Sequence, residues 1–246
     1  MTLALLLLAG LASGFVNSLA GGGIIFPTLI AVGLPPVDAS ASSTVVLFPI
    51  QFVSAFAARS VLDKVLIDWR KELAILCAIS LGGGAAGAAL LLIMPATAFA
   101  HAVPWLMLLG TLLFLAGIYR APSRVAVLSL VVCRGLHFLV SIYGGFFGGG
   151  LGVLVLAVLR CYGIQDVRVM NAIKVVLNGF IGVAAVGLFV ASDLVRWRET
   201  LVLMAAASVG AYCGTRFGLK VSRRLVEGII IFVGFGLTIY FFVAGV

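Results

Sequence analysis

Charged residues are scarce in this chain: only 10% of its 246 positions are Asp, Glu, Lys or Arg. Hydrophobic residues make up 63%, and the mean hydropathy of +1.30 lies far outside the range of soluble domains. Apolar runs of membrane-spanning length follow one another along the whole sequence. The scarcity of charge therefore excludes a soluble domain of appreciable size and predicts an all-α, multi-pass membrane protein.

Motifs for metals and for ATP are also missing. The four cysteines show no CxxC or Cys/His spacing, which predicts free thiols and no bound metal. No GxxxxGK[ST] loop occurs, so we expect neither ATP nor any other cofactor. The start, Met1-Thr2-Leu3, lacks the basic residues of a signal peptide, and we interpret the first apolar run as part of the mature protein.

Acidic residues are half as frequent as basic ones, at 8 against 16. The basic residues lie in short connections between apolar runs, where they orient a protein in the bilayer. The net charge of +8 therefore does not indicate nucleic-acid binding. We expect the lipid bilayer to be the partner of these basic connections.

Three successive glycines, Gly21-Gly22-Gly23, interrupt the first apolar run, which covers residues 2–33 and ends before Pro35-Pro36. This run is too long for one ordinary span of about 20 residues. Glycine and proline cost a helix interior about 1 and 3 kcal/mol, and a helix broken in lipid needs protein, water or a ligand to satisfy its backbone. The run predicts two half-length helices and a candidate binding site, unless the glycines only allow close helix packing.

Further helices are predicted in both halves of the chain. The first half, residues 1–119, adds helices at about 38–58, 72–94 and 97–119, with a charged loop at 59–71 and a linker at 120–124. The predicted helix at 72–94 carries Gly82, Gly83, Gly84 and Gly87, which let helices approach closely. The second half, residues 125–246, starts with another over-long run at 125–159 and continues with helices at about 166–191, 200–220 and 225–243.

The two halves form an internal repeat. Gly21-Gly22-Gly23 recurs 127 residues later as Gly148-Gly149-Gly150. After one inserted residue the offset is 128, which pairs Asp38 with Asp166, Trp69-Arg70 with Trp197-Arg198, and Gly82 with Gly210. Repeated halves with glycine-broken segments in matching positions are typical of a transporter and indicate its binding site.

Basic residues decide how the two broken segments sit in the membrane. If both crossed it fully, these residues would divide eight to six between the two faces. If both return to their own side as re-entrant hairpins, twelve lie on one face and only Arg196 and Arg198 on the other. The positive-inside rule favours the hairpins, which leave three crossings per half, invert the halves and place both termini outside. The twelve residues are Arg59, Lys64, Arg70, Lys71, Arg120, Arg124, Arg160, Arg168, Arg216, Lys220, Arg223 and Arg224.

Inverted halves bring the two hinges together near the membrane midplane. Half-helix N-termini at that point present free N–H groups and a positive dipole end to an anion. Lys174 is the most informative candidate, because a charge about eight residues inside a span needs a cavity or a partner. The predicted substrate-binding residues are Asn17, Ser18, Gly21, Gly22, Gly23, Ser42, Ser43, Thr44, Phe147, Gly148, Gly149, Gly150, Asn171, Lys174 and Asn178.

Other interpretations of these polar residues stay open. Lys174 could instead reach back to the cytoplasmic face, and Asn171 and Asn178, on the same helical face, could bond between helices. Asp38 and Asp166 are typical of helix N-caps rather than ion sites.

Several weaker candidates remain among the polar and aromatic residues. Arg134 could bind the ligand, an acid or a headgroup, and His101 and His137 are candidate proton carriers. Gln51, Phe146 and Phe147 are candidates for lining or gating the cavity.

Two sets of residues carry a resemblance to a known family. Residues 17–27 are followed by Ala39-Ser40-Ala41-Ser42-Ser43-Thr44-Val45-Val46, and residues 144–150 by Asn171-Ala172-Ile173-Lys174-Val175-Val176-Leu177-Asn178. Over almost its whole length the chain resembles the TauE/SafE family of membrane transporters, the sulfite exporters. The resemblance implies a bacterial or archaeal inner-membrane protein that carries sulfite, organosulfonates or similar anions, usually outward. One departure is Phe146-Phe147, which replaces Leu19-Ala20 of the first hairpin.

A secondary transporter with alternating access is the favoured function, coupled to protons, sodium or the anion gradient. An anion channel is the nearest rival. The enzyme alternative is an intramembrane hydrolase with Ser13 as nucleophile and His101 or His137 as base, but the serine has no supporting motif. The sequence leaves open whether the chain forms a homodimer.

Overall fold

The computed structural model describes residues 2–20, 25–119 and 128–217, together with single helical positions at 228, 232, 235, 236, 239 and 242. Regular secondary structure in this part of the chain is α-helical throughout. The predicted hinge Gly21-Gly22-Gly23, the linker 120–124 and most of the last predicted helix lie outside the described residues. The helices are α1 Thr2–Ala20, α2 Ile25–Ala31, α3 Pro36–Ala57, α4 Arg59–Ile93, α5 Ala96–Tyr119, α6 Leu130–Phe146, α7 Leu151–Cys161, α8 Val167–Ala191 and α9 Trp197–Phe217.

Three of the described helices contain stretches long and apolar enough to cross a membrane: Pro36–Phe56, Trp69–Ile93 and Val167–Ala191. Shorter apolar stretches lie in α1, α5, α6 and α7. Many large apolar side chains, among them Phe56, Ile93 and Phe138, are exposed on the surface of the molecule. These features confirm the prediction of an all-α membrane protein.

Helix α4 is longer than predicted, because it begins at Arg59 and not near residue 72. The loop predicted for residues 59–71 is wrong: a single residue, Ala58, separates α3 from α4. The charges in this stretch disfavour lipid, but they do not disfavour a helix, and no Gly or Pro occurs between residues 59 and 81. Val65 is buried in a cluster with Leu159 and Met170, so tertiary packing also stabilises this turn of the helix.

The first helix of each half packs mainly against a helix of the other half. Helix α1 lies along α9, and α6 lies along α4. Helices α3 and α8 contact each other, while α2 packs on α3 and α7 packs on α8. The contact of α1 with α9 therefore corresponds to that of α6 with α4, and the contact of α2 with α3 corresponds to that of α7 with α8.

Small residues allow these helices to approach closely, as predicted for α4. A Cβ on Gly87 would overlap the carbonyl oxygen of Ile142 in α6, and one on Gly145 would overlap that of Gly84. The contact of α1 with α9 is built in the same way, since Gly14 and Gly210 each lie against a backbone carbonyl of the other helix.

The buried apolar residues form two clusters at opposite ends of the molecule. One cluster includes Leu29, Leu91 and Phe189, and we call this end the Asp38 end. The other includes Leu73 and Leu159, and we call it the Trp69 end. Leu73 and Leu91 are 18 residues apart in α4, and these two residues therefore lie about 27 Å apart along the helix axis.

Candidate functional site

The second glycine motif breaks the helix, as predicted. Helix α6 ends at Phe146 and α7 begins at Leu151. Gly148 and Gly150 both have a φ of +75°, a left-handed conformation that residues with a Cβ rarely adopt. The carbonyl of Tyr143 accepts hydrogen bonds from the N–H groups of Phe147 (2.9 Å) and Gly148 (3.1 Å), which terminate α6. The turn is therefore a defined structure that only glycine can form without strain.

The chain enters and leaves this hairpin at the same end. The N–H of Leu128, just before α6, donates to the carbonyl of Cys161, the last residue of α7, at 3.0 Å. This open end lies at the Trp69 end, because Tyr162 packs its ring on Trp69 with centroids 5.5 Å apart. Leu34, just after α2, packs instead in the cluster of the Asp38 end.

A cavity of about 60 Å³ lies between the two halves, at the tip of the second hairpin. Helices α1 and α3 supply one part of its wall, and the second hairpin with α8 supplies the other. The lining residues are Asn17, Ser43, Thr44, Leu47, Phe48, Gln51, Gly144, Phe147, Gly148, Leu151, Gly152, Asn178, Ile181 and Gly182.

Six of the predicted substrate-binding residues meet at this cavity: Asn17, Ser43, Thr44, Phe147, Gly148 and Asn178. Gln51, predicted as a lining residue, also lies there. Five predicted residues lie outside the lining: Ser42, Gly149, Gly150, Asn171 and Lys174. The side chain of Ser18 and the glycines Gly21, Gly22 and Gly23 are not among the described parts of the chain.

Helix α3 turns two of its three predicted hydroxyl groups toward the cavity. Ser43 and Thr44 both donate to the carbonyl of Ser40, at 2.9 and 3.0 Å, so their oxygens keep lone pairs for other partners. Ser42 is directed elsewhere, because its Oγ accepts the N–H of Arg196 at 3.0 Å in the loop between α8 and α9. Ser42 therefore holds the two halves together at the Asp38 end.

Asn178 is a buried polar side chain of the cavity wall, at 9% exposure. Its Oδ1 has no hydrogen-bond partner among the residues that the structure describes. A buried amide oxygen without a partner costs free energy. The described chain therefore leaves one hydrogen-bond acceptor of the cavity wall unsatisfied.

Lys174 lies one helical turn from Asn178 on the same face of α8, about 6 Å along the axis. It is 4% exposed, which contradicts the alternative that it reaches back to the cytoplasmic face. Its Nζ donates to Oδ1 of Asn171 at 2.9 Å. Neither of the ion pairs found in the described chain includes it. A buried positive charge beside the cavity thus has an amide as partner and no counter-charge within the described chain.

The N-terminus of α7 opens at the cavity. Leu151 and Gly152, its first two residues, belong to the wall. The N–H groups of Leu151 and Val153 bond to carbonyls of the turn, at 3.2 and 3.0 Å. Over the described chain, the N–H groups of Gly149, Gly150 and Gly152 have no backbone acceptor. Free N–H groups and a positive dipole end are the features that bind anions at helix N-termini.

An aromatic cluster closes the cavity toward the Asp38 end. The ring of Phe147 makes an edge contact with Phe26 in α2, at 5.2 Å between centroids. Phe99 of α5 contacts both Phe146 and Phe147, at 5.5 and 6.5 Å. The residue pair in which the second hairpin differs from the first therefore packs the second hairpin against α2 and α5.

Arg134 and Asp38 each form an ion pair with a residue of the other half. Arg134 donates from Nε and NH2 to the two carboxylate oxygens of Glu72, at 3.0 and 2.6 Å, and Tyr162 donates to the same carboxylate. The prediction that Asp38 is the N-cap of its helix is wrong. Asp38 accepts hydrogen bonds from Arg196 instead, because the loop after α8 brings that guanidinium within 2.7 Å.

Asp166 is an N-cap, as predicted, since its Oδ1 accepts the N–H groups of Arg168 and Val169 at 2.8 and 3.5 Å.

Each of the two histidines forms hydrogen bonds with nearby residues. His137 is buried, and its Nε2 lies 2.8 Å from Oγ of Ser80, while its ring also bonds the carbonyl of Leu76. His101 is exposed and bonds the carbonyl of Thr97 at 2.7 Å. Neither contact supports a nucleophile–base pair with Ser13.

Sequence reasoning missed seven lining residues, namely Leu47, Phe48, Gly144, Leu151, Gly152, Ile181 and Gly182. Helical spacing could have found several of them. Leu47 and Phe48 follow Ser43 and Thr44 by one turn, and Ile181 and Gly182 follow Asn178 by the same interval.

Comparisons with known proteins agree on one class. The family model described as sulfite exporter TauE/SafE matches residues 6–241. A probable membrane transporter protein of Haemophilus influenzae is 28% identical and aligns with 96% of this chain and 92% of its own length.

Other curated relatives have similar descriptions. The probable membrane transporter protein ORF9 of a Sinorhizobium species is 26% identical, with coverage of 96% and 91%. The probable membrane transporter protein YfcA of Escherichia coli K12 is 26% identical, with coverage of 95% and 87%. No solved structure matches the chain.

Proposed function

The chain belongs to the sulfite exporter TauE/SafE family of membrane transporters, and on this basis we propose that it is a secondary transporter of small sulfur-containing anions. The proposed substrates are sulfite and organosulfonates, exported across the inner membrane by alternating access. The anion binds in the cavity between the halves, and protons, sodium or the anion gradient drive its movement.

The arrangement around Asn178 carries this proposal. The cavity wall holds the open N-terminus of α7 and the amide of Asn178, whose Nδ2 group can donate a hydrogen bond to an oxyanion. Lys174 adds a positive charge one turn away. Groups of this kind stabilise a negative ligand and disfavour a cation. An oxyanion that entered the cavity could accept hydrogen bonds from several backbone and side-chain groups at once.

The size of the cavity favours a compact substrate. A water molecule needs about 10–15 Å³ of such a volume, so 60 Å³ corresponds to roughly four to six water positions. Sulfite has four non-hydrogen atoms, and the head of a sulfonate is only slightly larger. Leu47, Phe48 and Ile181 provide apolar wall for the carbon atoms of an organosulfonate.

Two features support inverted repeats with re-entrant hairpins. The open end of the second hairpin lies at the Trp69 end, whereas the chain leaves α2 at the Asp38 end. The packing of α1 on α9 also has its counterpart in the packing of α6 on α4. Hairpins that enter from opposite faces would bring their tips together near the midplane, as in other transporters with inverted repeats.

The charges of the described helices support an orientation. Arg59, Arg70, Lys71 and Arg168 flank the Trp69 end, while Arg196 and Arg198 flank the other. The positive-inside rule then places the Trp69 end in the cytoplasm and both termini in the periplasm.

A thermal-shift screen of the purified chain tests the substrate class. We expect sulfite, thiosulfate or sulfoacetate to raise the melting temperature by several degrees, with taurine and acetate as comparison ligands. Binding at 100 times the Kd stabilises a protein by about 2.7 kcal/mol, which makes such a shift measurable. A chain that none of the sulfur anions stabilises would contradict the proposal.

Flux measurements in liposomes separate a carrier from the alternative, an anion channel. A carrier exchanges labelled sulfite for unlabelled sulfite inside closed vesicles, and its rate saturates with concentration. Flux that rises linearly and shows no exchange would favour the channel.

A further inference from the structure

The turn of the second hairpin is held by one side chain, Tyr143. The hydroxyl of this residue donates a hydrogen bond to the carbonyl of Gly149, at 2.5 Å, across the break between α6 and α7. Its backbone carbonyl accepts the N–H groups of Phe147 and Gly148. Its ring lies 6.3 Å from the ring of Phe147, which is part of the cavity wall. One residue of α6 thus contacts three of the four residues of the turn.

The bond to Gly149 sets the direction of the peptide that follows. In a trans peptide the C=O and N–H groups point in opposite directions, so a carbonyl held by Tyr143 also orients the N–H of Gly150. The carbonyl of Gly150 accepts the N–H groups of Val153 and Leu154, which start α7. The first turn of α7 is therefore bonded to the peptide that directly follows the one held by Tyr143.

Helix α5 also packs against the turn, close to the hydroxyl of Tyr143. A Cβ on Gly110 would lie 3.2 Å from the carbonyl oxygen of Gly149, and a Cβ on Gly150 would lie 3.3 Å from the carbonyl oxygen of Gly110. Glycine at position 110 thus leaves little room for the turn to shift. Without the hydroxyl of Tyr143, the two glycines with left-handed conformations would have wide conformational freedom.

We propose that Tyr143 is a positioning residue of the anion site: its hydroxyl holds the Gly149 carbonyl so that Gly148 and the N-terminus of α7 stay in the cavity wall. The residue itself is outside the lining of the cavity. The inference deepens the proposed function, because it takes the cavity as the place where the anion binds.

The chain offers a matched control for this hydroxyl. Tyr162 lies at the open end of the same hairpin and donates its hydroxyl to Glu72 at 3.1 Å, far from the turn. Tyr143→Phe and Tyr162→Phe each remove one oxygen atom from a half-buried tyrosine of this hairpin. Uptake of labelled sulfite into proteoliposomes is measured for both, together with hydrogen exchange of residues 147–152 in the purified chain without sulfite.

Tyr143→Phe is expected to raise the KM for sulfite about tenfold, the effect of one lost hydrogen bond to a buried carbonyl, with the maximal rate changed less than twofold. The amides of residues 147–152 are expected to exchange faster. Tyr162→Phe is expected to leave both properties unchanged. Gly110→Ala, which pushes on the same carbonyl from α5, is expected to raise the KM as Tyr143→Phe does.

The inference is overturned if Tyr143→Phe keeps the KM and the exchange rates of the wild-type chain, or if Tyr162→Phe changes them equally. If the wild-type chain transports no sulfite at all, the proposed function loses its support. The exchange comparison still decides whether Tyr143 holds the turn, because it is made without sulfite.

Discussion

Lys174 and Asn178 are the residues of α8 on which the proposed anion site depends. Both are buried, and they share one face of the helix with Asn171. An ammonium group in such surroundings costs several kcal/mol unless other groups compensate it. In the described chain Nζ bonds one amide oxygen and forms no ion pair. A bound anion would supply the missing counter-charge.

Replacement of Lys174 with Met tests this charge directly. Met has a similar length and no charge, so we expect transport of sulfite to fall at least 100-fold while the melting temperature stays the same or rises. Lys71→Met is the matched control, because Lys71 is exposed at the Trp69 end, and we expect it to transport at the wild-type rate. Uptake into proteoliposomes and thermal unfolding are the measurements. Transport by Lys174→Met at the wild-type rate would show that Lys174 does not bind the anion.

Asn178 offers a test with almost no change of shape. Asn178→Asp places a carboxylate in the cavity wall, where its charge repels an anion and also attracts Lys174 one turn away. We expect the thermal stabilisation by sulfite to disappear. At saturating sulfite this corresponds to a loss of more than 1 kcal/mol of ligand-dependent stability. Unchanged stabilisation in the shift assay would remove Asn178 from the site.

Among the elements, the second hairpin depends on its contact with α4. Gly87 of α4 lies against the carbonyl of Ile142, and Gly145 of α6 lies against that of Gly84. The Arg134–Glu72 ion pair and the hydroxyl of Tyr162 attach the open end of the hairpin to the same helix. The first arm of the hairpin is thus fixed along α4, Tyr162 after the second arm bonds to the same helix, and the turn borders the cavity.

Two glycines of α4 give opposite predictions for stability. Gly87→Ala would force a Cβ into a backbone carbonyl of α6, and we expect a loss of at least 2 kcal/mol in unfolding free energy. Gly82→Ala is the control on the same helix. No atom lies within 4 Å of its added Cβ, so the helix should gain up to about 1 kcal/mol. Thermal unfolding in detergent compares them, and equal melting temperatures would contradict the close packing of α4 and α6.

At the scale of the whole molecule, ion pairs connect the halves at both ends. Asp38 binds Arg196 at one end, and Glu72 binds Arg134 at the other. In each pair the acid comes from the first half and the arginine from the second. With the aromatic cluster around Phe147 on one side of the cavity, the closed contacts at both ends fit the proposed alternating access.

The proposed orientation predicts which side of the membrane each end faces. In a chain whose four native cysteines are replaced by serine, Val246→Cys should react with a membrane-impermeant thiol reagent added outside the cell. Arg59→Cys should react only after the membrane is opened. Labelling of residue 246 exclusively from the cytoplasmic side would contradict the orientation and, with it, the odd number of crossings per half.

Local patterns in the sequence were sufficient for much of this organisation. The break at Gly148-Gly149-Gly150, the helix of residues 167–191 and the shared face of Asn171, Lys174 and Asn178 follow from helical periodicity and from the cost of glycine in a helix. The positions of Asn17, Ser43 and Thr44 at the cavity followed from matching the two halves. These features depend on residues close in sequence or on the repeat itself.

Only the tertiary structure decided which partners the side chains meet. The pairing of Arg134 with Glu72 and of Asp38 with Arg196 joins residues 62 and 158 positions apart, and no local pattern indicates such a choice. The apolar wall of the cavity and the bond from Tyr143 to Gly149 likewise depend on how α3, α8 and the hairpin pack. The sequence by itself determined where helices form and break, because backbone preferences are local. The folded arrangement determined the site, because its walls come from helices distant along the chain.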